Sequence, residues 1–125
     1  MNYGPDRLID DLRKLGLSVE KAVGSNKEDF AVISAYEIVI GKFAGRVIDL
    51  GIQCTANFPI TVHSAIHIRA EPQLYEPKDN IPNVRNVTAS VLGSEWRYWS
   101  QNFGWTEERT ARRLMSQINT IFQNA

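Results

Sequence analysis

Between Arg46 and Ala56 the apolar residues fall on every second position: Ile48, Leu50, Ile52 and Cys54 alternate with Asp49, Gly51, Gln53 and Thr55. A helix cannot gather residues spaced by two onto one side, whereas successive side chains of a strand point to opposite faces. The segment is therefore a strand with one buried face, and such a strand needs neighbours and a cover.

The flanking sequence supplies both. Leu17–Val23 alternates loosely and stops at the turn cluster Gly24-Ser25-Asn26. Phe30–Ile40 is β-branched and aromatic on both faces, as a central strand requires. After Asn57-Phe58-Pro59 breaks the pattern, Ile60–Ala70 resumes it, with Val62, Ile66 and Ile68 inward and His63, His67 and Arg69 outward. Residues 5–15 read as a helix: Pro5 suits its first position, Leu8, Ile9, Leu12 and Leu15 form one stripe, and Gly16 ends it. Residues 71–86 hold Pro72, Pro77 and Pro82 and read as a long irregular loop. Thr106 is expected to cap a last helix, with Glu107 and Glu108 in its first turn and Ala111, Leu114, Met115, Ile118, Ile121 and Phe122 on its apolar face. The expected architecture is α+β: an N-terminal helix, a four-stranded antiparallel meander, a long loop and a C-terminal helix, with both helices on the inner face of the sheet.

A chain of 125 residues with 43% apolar content is expected to form a single domain, residues 1–125, with one core. Lys+Arg and Asp+Glu both number 14. That balance argues against a general nucleic-acid or membrane-surface binder, which needs a basic excess. The single cysteine cannot form an internal disulfide. No leader is expected in the opening residues and no apolar run approaches a membrane span, so a cytoplasmic location is the default. No phosphate-cradling loop or zinc signature is present in the sequence, and no cofactor or metal is expected.

One set of spacings points further. Ile81-Pro82-Asn83-Val84 is followed by Trp99-Ser100; Val91 lies eight residues after Asn83, and Trp99 eight residues after Val91. A Pro-Asn turn, a short segment and Trp-Ser at these intervals resemble the active-site half of ubiquitin-conjugating enzymes. The turn and strand Gly41–Pro59, ending in the aromatic-proline pair Phe58-Pro59, resemble the same family. The tract Glu95-Trp96-Arg97-Tyr98-Trp99-Ser100 is similar to its bacterial branch, found with prokaryotic ubiquitin-like conjugation systems. The family's catalytic cysteine falls on Val91, which has no nucleophilic atom. Ile81 stands where the family has histidine, and Gln101 where proline follows Trp-Ser.

The resemblance implies the ubiquitin-conjugating (UBC) fold without its chemistry: a non-catalytic adaptor or scaffold, with Pro82, Asn83, Val91, Trp99 and Ser100 as a vestigial site. Its implied partners are proteins: a ubiquitin-like protein and an activating- or ligase-like enzyme. Asn83 then serves as a turn residue bonding nearby backbone. Val91 is expected to be largely covered, by the 71–86 loop or by the aromatic cluster Trp96, Tyr98, Trp99, Phe103 and Trp105.

Two alternatives stand beside this reading. One is a transferase with another nucleophile, either Cys54 or a serine at 90–94; a one-residue slip in the loop puts Ser90 at the reactive position. Cys54 alternates with core residues and is expected to be buried and inert. The other is an unrelated small α+β binding domain. His63 and His67, four residues apart on one strand face, are separated by roughly 13 Å and cannot share a metal ion. They are expected on a solvated face, where they could join Arg69 in a recognition surface. Leu74 and Tyr75 are further candidate contacts, and so is Trp96, because Trp, Tyr and Arg dominate binding hot spots.

Overall fold

A computed structural model describes residues 3–77, 79, 86–101, 103–105 and 109–125, without the side chain of Asn86. Two helices, α1 (Pro5–Lys14) and α2 (Ala111–Asn124), flank six strands: β1 (Val19–Val23), β2 (Asp29–Glu37), β3 (Val47–Gln53), β4 (Ala65–Arg69), β5 (Asn86–Ser90) and β6 (Gly93–Ser100). The chain is α+β, and its sheet has the order β1-β2-β3-β4-β6-β5 with every neighbouring pair antiparallel.

The first four strands form the expected meander. The four-strand count is corrected to six, because the aromatic tract after the loop is itself a strand. Trp96, Arg97, Tyr98 and Trp99 pair residue for residue with β4, and β5 pairs on the far side. A loop residue and a strand residue differ here in partners, not in composition, so alternation alone did not announce the hairpin.

The inner face carries the core. Ile48, Leu50, Ile52 and Cys54 are all buried, as their alternation requires, and so are Ile66 and Ile68. Val62 lies in the segment before β4 and is half-buried. Leu8, Ile9 and Leu12 of α1 and Leu114, Ile118 and Phe122 of α2 pack into the same cluster, so both helices cover this face. Leu15, assigned to the α1 stripe, instead lies past the helix end and is exposed. Gly16 follows it with φ 90°, a conformation that suits glycine at a helix terminus.

α2 begins later than expected. Thr110 is its cap, accepting a hydrogen bond from the Arg113 backbone N–H on its side-chain oxygen at 3.1 Å. Thr106, Glu107 and Glu108 lie outside the described residues. Strand β2 carries an irregularity between Ile33 and Tyr36, where Ala35 takes φ 54° and donates its backbone N–H to Asp49 Oδ1 at 3.0 Å. Such a bulge re-aims the strand and sharpens its twist.

Candidate functional site

Val91, the residue expected at the cysteine position by resemblance, sits at a hairpin tip. Ser90 pairs with Gly93, so Val91 and Leu92 form the turn between β5 and β6. The tip reaches the turn at the opposite edge of the sheet, where the Ser25 N–H donates to the Val91 carbonyl at 2.9 Å. β1 and β5 are the two edge strands, so this contact curls the sheet across its outer face.

Two glycines make the approach possible. A Cβ on Gly51 would meet Leu92 Cδ1 at 2.7 Å, and one on Gly24 would meet Val91 Cγ2 at 2.9 Å. Val91 itself is half-buried. It borders a recess of about 530 Å³ together with Ser25, Pro77, Ser90, Trp96 and Arg97. Pro77 comes from the long loop and Trp96 from the aromatic tract, the two covers anticipated for this position, but the cover is partial. Pro82 and Asn83 lie outside the described residues. Trp99 is fully buried in the core against Phe122 and Tyr75, and Ser100 is half-buried on β6.

His67 requires a correction. It lies on the outer face as its alternation requires, but it is 2% exposed instead of solvated. Phe30 and Tyr98 pack edge-on against its ring at 4.9 and 5.2 Å. Its Nδ1 shares a hydrogen bond with Ser90 Oγ at 2.7 Å, and the Leu92 N–H also donates to that oxygen, at 3.0 Å. Burial, with a smaller push from His63, lowers the ring's pKa to about 4, so His67 is neutral at physiological pH. Its Nε2 has no partner among the described residues. His63 is also displaced from its expected place: it precedes β4, is half-buried, and has its pKa lowered by burial against an opposing effect of Glu28.

Cys54 is 5% exposed, and burial, helped by the Asp29 carboxylate, pushes its pKa up to about 12. A thiol so poorly ionised is a weak nucleophile. Among the described residues no group of three or more His, Cys, Asp or Glu side chains could hold a metal ion. Among them, too, no helix is long and apolar enough to cross a membrane.

The remaining surface candidates divide between the two faces. Leu74 is buried in the core, and Tyr75 packs on Trp99 and on Phe43 at 5.6 and 5.1 Å, so both serve the inner side. Arg69 stays exposed, with its guanidinium 5.0 Å from the ring of Trp96, which is itself buried. It also holds Asp49 at 2.6 Å. Arg69 and Asp49 edge an open recess of about 730 Å³ whose rim includes Val47, Glu76 and Arg97. The sequence reading missed the His67–Ser90 bond. Gly51, an outward position with no side chain in the middle of a strand, was the available signal that another segment comes close.

No family model, characterised protein or solved structure matches this chain.

Proposed function

We propose that this domain is a non-catalytic relative of ubiquitin-conjugating enzymes that serves as an adaptor or scaffold in a cytoplasmic bacterial ubiquitin-like conjugation pathway. The observation that carries this reading is the placement of its one thiol. Cys54 is sealed in the core with its pKa near 12, while valine occupies the hairpin tip at the position that aligns with the family's cysteine. Partners are the ubiquitin-like protein and an activating- or ligase-like enzyme. The recess edged by Arg69 and Arg97, with the Trp96 ring 5.0 Å from the Arg69 guanidinium, presents arginine, a residue type enriched at protein interfaces.

The test charges a cognate activating enzyme with its ubiquitin-like protein and then adds this domain. The expected result is noncovalent capture with no reducible adduct. An adduct that disappears in Cys54→Ser would sink the proposal. In parallel, Cys54 should resist thiol reagents until the domain is unfolded.

A second reading has one observation in its favour. The 2.7 Å bond between Ser90 and His67 resembles a nucleophile and its base. Four features weigh against it. The ring is held neutral by a pKa near 4 and is a feeble base at neutral pH. The Leu92 N–H already occupies the serine oxygen, and no carboxylate bonds the ring among the described residues. A serine ester is also a poor acyl donor to amines. The same pair serves well as the fastening of the hairpin tip.

A further inference from the structure

A groove of about 430 Å³ runs between α2 and the segment that follows β6. One wall is a stripe of α2, with Arg113, Gln117, Thr120 and Asn124 spaced to lie along the same side of the helix. The stripe is roughly 16 Å long at the helical rise, the span of about five residues of extended chain. The other wall is Gln101 and Phe103, which are 9% and 8% exposed.

Two glutamines that border this groove each hold one unsatisfied amide atom. Gln101 Nε2 and Gln117 Oε1 are both buried and both lack a hydrogen-bond partner among the described residues. Burying an unpaired polar group is costly, and most such groups in folded proteins have a partner. Here one is a donor and the other an acceptor, on opposite walls of a single groove. Each glutamine amide carries both functions, so complementarity to a peptide group survives a turn of either amide plane. That last torsion is broad and soft, which lets the amides swing into the groove without moving the backbone.

The groove also has a polarity. Arg113 stands in the first turn of α2, exposed, with no ion pair to another side chain among the described residues. Its charge adds to the positive end of the helix dipole, while Asn124 marks the opposite end. An anion is favoured at the Arg113 end and nowhere else along the stripe.

We propose that this groove binds an extended peptide segment of a partner protein, seating a main-chain amide between Gln101 and Gln117 and a carboxylate on Arg113. A peptide group supplies one acceptor and one donor together, which is what the two glutamines lack. The guanidinium fork takes a carboxylate in a two-pronged pair. The carboxylate is that of a chain terminus, because Arg113 stands at one end of the stripe, where a bound extended chain stops.

The test uses the full chain labelled with ¹⁵N and follows the side-chain amide signals of Gln101 and Gln117. Acetylated tetraalanine with a free carboxylate, added to millimolar concentration, should shift both signals saturably. Its C-terminally amidated form should bind about tenfold more weakly, as loss of a charge-assisted pair implies. An amidated peptide with one internal aspartate should bind as weakly as the amidated tetraalanine; recovered binding would overturn the assignment to a chain terminus. Arg113→Gln, at an exposed position that leaves the core intact, should reproduce the tenfold loss. Absence of saturable shifts at both glutamines overturns the proposal, as does equal binding of the free and amidated tetraalanines or unchanged binding by Arg113→Gln. No conjugation component enters this experiment, so its failure leaves the adaptor reading untouched.

Discussion

The two faces of the sheet are covered in different ways. On the inner face, Leu50, Ile66, Ile68 and Trp99 meet Leu114, Ile118 and Phe122, every one of them buried and apolar. On the outer face, Phe30, Gly51, His67 and Trp96 are covered by a hairpin tip that is tied down by two hydrogen bonds, Ser25 to Val91 and His67 to Ser90. The inner cover stands on area, which tolerates changes in detail as long as volume and pattern are kept. The outer cover stands on fit: two missing side chains, one neutral imidazole and one hydroxyl. The inner face should therefore dominate stability, while the outer face should respond to small changes in chemistry.

The largest expected effect follows from emptying the inner face. Trp99 has no exposure and packs on both Tyr75 and Phe122. Trp99→Ala should cost about 3–5 kcal/mol, a large part of the stability of a small domain. Urea denaturation with an unchanged slope would measure it. A loss below about 1 kcal/mol would mean that the helices do not seal this face, since large buried side chains cost more than that to remove.

Acid should expose the outer face next. His67 has its pKa lowered from 6.5 to about 4, so the unfolded chain takes up the proton first as pH falls. The stabilisation is fully present above about 6.5 and is lost as pH drops from there towards 4. Complete loss amounts to about 3 kcal/mol from that difference in pKa. His63 shifts in the same direction and adds to the slope. His67→Phe, which keeps a ring, should flatten most of the slope between pH 6.5 and 5; an unchanged slope would show that His67 is not sealed.

How much of this the sequence disclosed divides along the same line. The alternation at Ile48, Leu50, Ile52 and Cys54 and the helical spacing from Ala111 to Phe122 are direct consequences of having one buried face, and both were readable. Arg69 was correctly left outside. His67 was placed on the correct face and misjudged as solvated, because alternation tells which way a side chain points and says nothing of what arrives to cover it. Leu74 and Tyr75 offered no period at all, and they joined the core through a loop whose path depends on tertiary contacts. The β5–β6 hairpin was hidden for a similar reason. Trp96 and Trp99 are both buried although they lie on opposite faces, so the strand shows no clean apolar-polar alternation.

Gly51 tests how closely the outer cover fits. A Cβ there would sit 2.7 Å from Leu92 Cδ1 and 3.3 Å from His67 Cβ. Gly51→Val should destabilise by about 1–3 kcal/mol through overpacking, despite the better strand propensity of valine. Adding Leu92→Ala should recover part of that loss, because the leucine tip is the first atom to be displaced. If the double variant is no more stable than Gly51→Val, the hairpin tip does not press on this position.

The smallest effect, and the one that separates the two functional readings, belongs to Ser90. Ser90→Ala removes the bond to His67 and leaves a buried Nδ1 unpaired, which should cost about 1–2 kcal/mol. In a double-mutant cycle with His67→Phe most of that cost should vanish, since the phenyl ring asks for no partner; the coupling isolates the fastening from the rest of the tip. If Ser90 acts only as a fastening, a serine-directed fluorophosphonate leaves the wild type unmodified at neutral pH, and capture of a ubiquitin-like partner survives the substitution. If Ser90 is a nucleophile, the reagent labels it and labelling falls away in His67→Phe. A hydroxyl bonded to an imidazole of pKa near 4 gains little reactivity from it, so the unlabelled result is expected.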